Sequence, residues 1–108
     1  METIVINIAM VVSPVVGARY RTLGPYSGQA FYEDILEPRF DTAQREGKKL
    51  EVYLDGVRSY SESFLDESFG VLARKYGIDV VKDIIIFRHE TKDWTVNYIY
   101  NNIWVPQV

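Results

Sequence analysis

The sequence predicts a single α/β domain, and three patterns lead to that prediction. Residues 50–54 alternate apolar and polar side chains with the two-residue period of a β-strand. Residues 63–76 place Leu65, Phe69 and Leu72 at the three- and four-residue spacing of an amphipathic helix. Strand and helix patterns alternate along the 108 residues, a length typical of one domain. We therefore expect about four strands in a mixed or mainly parallel sheet, two long helices mainly on one face and a third helix at the C-terminus.

The first half of the chain predicts two strands and one long helix. Residues 4–11 are rich in β-branched side chains and predict the first strand. Residues 18–21 predict a second, short edge strand. Ser27 should cap the helix, because its hydroxyl can accept an unpaired backbone N–H. Pro38 should kink or break this helix just before itself, and Gly47 should end it.

The second half is built around the strand at residues 50–54. A polar turn at residues 55–61 follows it, and the next helix is expected to open at Ser63. Ser63 and Asp66 have the spacing of a capping box, in which a serine and an acid satisfy the helix start. Gly77 should stop that helix. The continuous apolar run at residues 84–87 predicts a strand covered on both faces.

Composition excludes several classes of function. The net charge of −3 gives no basic surplus for nucleic acid or anionic lipid. The chain has no cysteine and one histidine, His89, so we expect no disulfide, metal site or histidine-based triad, and no cofactor is predicted. Residues 1–16 lack a basic leader and include polar side chains, which argues against a signal peptide or membrane span. Cytoplasm is the expected compartment.

Two stretches resemble one known family. Residues 17–31 read GARYRTLGPYSGQAF, and residues 54–72 read LDGVRSYSESFLDESFGVL. Together they resemble the STAS-like domain of unknown function, a distant relative of the STAS domains of bacterial anti-anti-sigma factors. The resemblance extends from residue 4 to about residue 103 and implies one STAS-like sandwich over residues 1–108. It also implies a helix over residues 93–103.

The residues alone leave the 93–103 segment open. Trp94, Val96 and Tyr98 alternate with polar neighbours, which taken alone favours a strand. As a helix, the segment could be capped by Asp93 and would place Trp94, Tyr98 and Ile103 on one stripe. We follow the helix that the resemblance implies.

Six polar residues lie together at the carboxyl end of the central strand, where open α/β sheets usually carry their sites. They are Asp55, Arg58, Ser59, Ser61, Glu62 and Ser63. In anti-anti-sigma factors this loop reads Asp-Ser-Ser-Gly-Leu and its first serine is phosphorylated. Aligned through Leu65, that position is Glu62 here, and the family's aspartate is Ser61. Either Ser61 or Ser63 takes over the modification, or the loop is a constitutive binder.

The resemblance therefore implies a small regulatory protein that acts by protein–protein interaction and is not an enzyme. The implied partner is a protein, with an anti-sigma-type ATPase or kinase as the specific candidate for partner switching. No nucleic-acid or membrane partner is expected, and homo-oligomerisation stays open.

Two alternative functions come from the residues themselves. Arg19, Arg21, Ser27 and Gly28 could hold a nucleotide or another anion, because guanidinium groups and a helix start favour phosphate. In the ordinary interpretation, Ser27 and Gly28 only begin a capped helix, and the two arginines pair with acidic residues of the same chain. An enzyme using Asp55, Asp66 and Glu67 as acid and base is the third hypothesis. In the ordinary interpretation, Asp55 stabilises a turn, Asp66 caps a helix and Glu67 is a solvated surface residue.

Overall fold

The structure is a computed structural model that describes residues 3–106, and it has an α/β fold with a small parallel sheet. Its strands are β1 (Thr3–Asn7), β2 (Lys49–Tyr53) and β3 (Ile85–Arg88), in the spatial order β1-β2-β3. Both neighbouring pairs are parallel. Within residues 3–106 the sheet has three strands, so the predicted four strands and sandwich are not confirmed.

Helices make up most of the remaining chain, and each of the three long ones contains a wide π-helical turn. Short α1 spans Ile8–Val11, and a 3₁₀ turn spans Arg21–Leu23. The long helices are α2 (Gly28–Phe31, π-helical Tyr32–Leu36, Glu37–Glu46), α3 (Glu62–Leu65, π-helical Asp66–Gly70, Val71–Tyr76) and α5 (Asp93–Tyr98, π-helical Ile99–Ile103). Between α3 and β3 lies α4, Ile78–Ile84, a helix that was not predicted from the sequence.

The helices cover one face of the sheet. Ile6, Val52 and Ile85 are buried there. The alternate residues point to the opposite face, where Val5 and Tyr53 are exposed. The prediction that residues 84–87 are covered on both faces is wrong, because Ile86 on the open face is only half-buried. The apolar run is continuous because its first residue, Ile84, ends α4 and the strand β3 begins at the next residue.

An aromatic cluster fills the core between the sheet and the helices. Phe69 makes edge contacts with Phe31, Phe87 and Trp104, at ring-centre distances of 6.0, 5.3 and 6.4 Å. The indole N–H of Trp104 donates to the backbone carbonyl of Phe69 at 3.0 Å. The C-terminal helix is therefore joined to α3 by packing and by a buried hydrogen bond, and the helix expected for residues 93–103 is observed.

Two predicted strands in the first half are wrong in extent or existence. β1 ends at Asn7, whose side-chain oxygen accepts the N–H of Met10 and so caps α1. Residues 18–21 form no strand. The carbonyls of Ala18 and Arg19 instead accept the N–H groups of Gly28 and Gln29 at 2.9 Å, so this segment closes the start of α2 rather than a sheet edge.

The predicted ends of α2 agree with the structure. Ser27 accepts the N–H of Ala30 at 3.0 Å, and Gly47 ends the helix with the left-handed φ of 66°. Pro38 does not break the helix, but the wide turn Tyr32–Leu36 comes directly before the segment that contains it. A proline lacks the N–H that a regular turn would use, so a local change of hydrogen-bond pattern is its expected effect.

Candidate functional site

The carboxyl ends of the three strands meet at one edge of the sheet, which we call the carboxyl edge: residues 8–17, 54–63 and 89–94. Parallel strands bring these loops together, and backbone hydrogen bonds fasten them. Arg58 N–H donates to the Pro14 carbonyl at 2.8 Å, and Leu54 N–H donates to the Arg88 carbonyl at 3.0 Å. The six residues predicted for the regulatory loop lie at this edge.

Asp55 ties the second loop of this edge to the third. Its carboxylate accepts the N–H groups of Glu90 and Thr91 at 2.6 and 3.2 Å and the Thr91 hydroxyl at 2.9 Å. Burial alone would raise the pKa of Asp55, but these hydrogen bonds outweigh it and lower the pKa. The carboxylate is therefore ionised and engaged, which suits a structural fastener.

Ser61, not Ser63, caps helix α3. The Ser61 backbone is extended, and its oxygen accepts the N–H of Phe64 at 3.1 Å. The Ser61 hydroxyl also lies 3.5 Å from the Gly17 carbonyl, to which it donates. The predicted capping box of Ser63 and Asp66 is wrong, because the helix begins two residues after Tyr60, at Glu62, and places Ser63 inside its first turn.

Arg58 and Ser59 are displayed at the tip of the loop. Both are exposed, whereas Val57 before them and Tyr60 after them are buried. The Tyr60 hydroxyl donates to the Leu54 carbonyl at 2.8 Å, which anchors the end of the loop to the end of β2. Within residues 3–106 the Arg58 guanidinium has no ion-pair partner. The loop is a fixed support that presents a cation and a hydroxyl.

Exposed apolar side chains lie in the two neighbouring loops of the carboxyl edge, and the sequence did not indicate that they would be exposed. Met10 is 82% exposed, Val15 is 55% exposed and Trp94 is 59% exposed. Met10 and Val15 come from the first loop of the edge and Trp94 from the third. The only sequence signal was apolar residues outside a helical or strand period, which is too common to identify a surface. The aromatic side chain of Trp94 predicts packing in the core or at its rim, and the structure places it at the rim.

The residues of the predicted anion site are engaged with one another and with acids. Arg19 pairs with Asp66 at 2.7 Å and with Glu67 at 3.2 Å. Arg21 pairs with Glu33 at 3.2 Å and with Asp34 at 2.7 Å. The first N–H groups of α2, including that of Gly28, already have protein acceptors, and Ser27 is buried. The site has few free donors, and anion binding there stays a prediction.

The carboxylates considered for catalysis are divided between two places. Asp55 fastens the carboxyl edge, as described above. Asp66 accepts from Arg19 and, at 3.3 Å, from Arg74, and Glu67 shares Arg19. Burial would raise the pKa of Asp66, but its hydrogen bonds from both arginines outweigh burial and lower the pKa. The lowered pKa values of Asp55 and Asp66 favour the ionised carboxylate over proton transfer.

Three further observations bear on function. Among residues 3–106, no cluster of three or more histidine and carboxylate side chains is arranged to hold a metal ion. No helix in that range is both long and apolar enough to cross a membrane. A groove of about 180 Å³ lies between the first loop and α2, lined by Val11, Tyr26, Phe31 and Ile35 among others.

The fold and the carboxyl edge define a small α/β domain that presents rigid loops at the ends of parallel strands. The family described as STAS-like domain of unknown function matches residues 27–94. This match covers more than half of the chain, so the protein belongs to that family. A comparison with curated proteins and a comparison with solved structures each found no match.

Proposed function

We propose that this protein is a regulatory binding module that contacts a protein partner through the carboxyl edge and carries out no catalysis itself. The observation that carries the proposal is the combination at that edge of a rigid exposed loop, Arg58 and Ser59, with the exposed apolar side chains of Met10, Val15 and Trp94. Exposed apolar groups rimmed by polar ones are typical of protein interaction sites.

The state of the polar groups supports binding over catalysis. The carboxylate oxygens are already engaged in hydrogen bonds and ion pairs within the protein, at Asp55, Asp66 and Glu67. The Ser61 hydroxyl accepts a helix N–H and faces a backbone carbonyl, so it has no base to activate it as a nucleophile. A site that is already internally satisfied offers shape and charge to a partner, with little capacity for bond breaking.

The family resemblance supplies the finer part of the proposal. It favours an anti-sigma-type ATPase or kinase as the partner, and a change of charge at Ser61 or Ser63 as the means of regulation. Cytoplasm, where such partners act, is the compartment that we propose. A homo-oligomer is compatible with this function but is no part of it.

Site-specific photo-crosslinking in the native cell tests the proposal. A photoreactive residue placed at Ser59 should capture a defined protein, which mass spectrometry would identify. The matched control carries the same group at Gln44, an exposed residue of α2 just before the amino end of β2. Capture at Ser59 and not at Gln44 would support the proposal. Equal capture at both positions, or none at Ser59, would contradict it.

A second candidate, a nucleotide- or anion-binding module, rests on Arg19 and Arg21 near the start of α2. Both guanidiniums are partly exposed, although acids match their charges. A thermal-shift screen with ATP, GTP and inorganic phosphate tests it, because a ligand that binds only the folded state raises the melting temperature. A rise that the Arg19→Gln variant loses would favour this candidate; unchanged melting with all three would end it.

A further inference from the structure

We infer that the exposed face of Trp94 receives an arginine or lysine side chain from a basic segment of the protein partner. The inference rests on the proposed function and adds the chemistry of that partner. It is independent of the serines of the loop, because its elements are an aromatic surface and the carboxylates around it.

Trp94 is held in place before any partner arrives. Its ring stacks on the ring of Tyr98, with 5.1 Å between centres and an interplanar angle of 19°. The Tyr98 hydroxyl donates to Glu62 Oε1 at 3.0 Å, which joins α5 to the first turn of α3. One face of the indole is covered by Tyr98, and the residue is still 59% exposed. A preorganised aromatic surface loses little side-chain freedom on binding.

The pattern of ion pairs leaves negative charge at the carboxyl edge, where Trp94 lies. Among residues 3–106, most carboxylates contact a lysine or arginine. Those that do not are Asp55, Glu62, Asp79, Glu90 and Asp93. Four of these five lie at the carboxyl edge. Asp79 is the exception.

The cations of the same edge are too few to balance these acids. They are Arg58 and Lys92, with His89 Nδ1 placed 3.4 Å from the Asp93 carboxylate. Even with His89 counted as a cation, three positive groups stand against four carboxylates, so the edge keeps an excess of negative charge. Asp93 directly precedes Trp94, and Glu62 accepts the hydroxyl of Tyr98, on which the Trp94 ring stacks. Both side chains are open to solvent, as is that of Glu90 in the same loop as Asp93.

A cation is the group that fits both features. The face of an indole ring attracts a guanidinium or ammonium through its quadrupole, and tryptophan does so best among aromatic residues. Arginine suits the site especially, since its plane can stack on the ring while its N–H groups reach a carboxylate. An apolar or acidic partner segment would leave the surrounding carboxylates uncompensated.

The test titrates fluorescently labelled hexa-arginine, with hexa-glutamate as the comparison, into the full chain at low salt. Hexa-arginine should bind and hexa-glutamate should not. Trp94→Ala should weaken hexa-arginine binding about three- to tenfold, and Glu62→Gln or Asp93→Asn about two- to fivefold. Glu62→Gln keeps an acceptor for Tyr98. Added salt should weaken binding further.

Two matched variants serve as controls. Tyr53→Ala removes another exposed aromatic, on the open face of the sheet, and Asp79→Asn removes the unpaired carboxylate outside the carboxyl edge. Both should bind hexa-arginine like the parent. If either control weakens binding as much as Trp94→Ala, or if hexa-arginine does not bind, the inference is wrong. Circular dichroism of every variant shows whether it is folded.

The partner captured through Ser59 separates this inference from the proposed function. Loss of affinity for that partner in Trp94→Ala, with Tyr53→Ala unchanged, supports both. Unchanged affinity in Trp94→Ala overturns the inference and leaves the proposed function standing. Absence of any captured partner overturns the proposed function itself. Concentration-dependent sedimentation that Trp94→Ala abolishes would assign this face to a second copy of the chain and so overturn the inference.

Discussion

Phe69 packs at the point where α3, the sheet and α5 meet. It is fully buried, and its ring contacts Phe31, Phe87 and Trp104. Phe69→Ala should lower the free energy of unfolding by about 3–5 kcal/mol, the usual cost of truncating a buried aromatic. Urea unfolding followed by circular dichroism measures this. The control, Tyr53→Ala on the open sheet face, should cost less than about 1 kcal/mol. Equal losses in the two variants would show that Phe69 is not a core residue.

Gly28 controls how closely the start of α2 approaches α3. A Cβ added there would lie 2.7 Å from the Phe64 carbonyl oxygen and 3.1 Å from Phe64 Cα. Gly28→Ala should therefore destabilise the fold by about 1–3 kcal/mol, although alanine is otherwise favoured over glycine in helices. Thermal and urea unfolding measure the change.

Gly70→Ala is the matched comparison for Gly28→Ala. At Gly70 the nearest atoms to an added Cβ are side-chain ends, Asp66 Oδ1 at 2.8 Å and Arg74 Nη1 at 3.1 Å. Side chains can move where a backbone carbonyl cannot, so the loss should be smaller than at Gly28. A larger loss at Gly70 would mean that the contact between the two helices is less tight than described.

At the scale of elements, the start of α3 depends on Ser61. Removing this cap with Ser61→Ala should cost about 1 kcal/mol, since an N–H of the first turn loses its acceptor. Ser63→Ala is the control at the position that the sequence favoured, and it should stay within about 0.5 kcal/mol of the parent. The free energy of unfolding of the two variants decides between the two caps. A larger loss in Ser63→Ala than in Ser61→Ala would show that Ser63 is the cap.

The same helix start gives a prediction about regulation. A negative charge at Ser61 or Ser63 is favoured by the partial positive charge of the helix N-terminus but opposed by Glu62 and Asp66. Ser61→Asp or Ser63→Asp should therefore keep the melting temperature within a few degrees, and should alter affinity for the captured partner by about 1–3 kcal/mol. Titration of the partner against each variant measures this. Equal affinity of the parent and both variants would show that the loop has only a structural role.

At the scale of the whole molecule, ionised carboxylates fasten distant parts of the chain. Asp66 joins the Arg19 segment to α3, and Asp55 joins two loops of the carboxyl edge. The pKa values of both groups are lowered in the folded protein. A lowered folded pKa contributes stability above the unfolded pKa, and this contribution is lost as pH falls through the folded pKa.

The protein should therefore lose stability below about pH 4, the ordinary range of aspartate. Urea midpoints measured between about pH 6 and about pH 3 should decline for the parent, and decline less for Asp66→Asn, which has already lost the ion pairs. Asp79→Asn, whose carboxylate lacks a cation partner within residues 3–106, should follow the parent. Identical pH profiles for Asp66→Asn and the parent would show that these ion pairs contribute little.

Much of this architecture was predictable because its causes are local. The strand pattern before Asp55, the helix stripe through Phe69, and the ends at Ser27, Gly47 and Gly77 depend on neighbouring residues, and the structure has them. The family was recognisable for the same reason, since its motifs are continuous in sequence. The mixture of strands and helices followed from these elements.

Contacts between segments far apart in sequence decided the rest. Residues 18–21 had the composition of a strand, but their carbonyls were needed to satisfy the start of α2. Ser61 displaced Ser63 as the cap because the loop is held by Gly17 and by the buried Tyr60. The sequence left open whether Trp94 lies in the core or at its rim, and only the packing of α5 leaves it exposed, after Asp93 and stacked on the Tyr98 that contacts Glu62. Propensity and period act within a few residues, whereas burial and charge pairing depend on which distant segments meet in space.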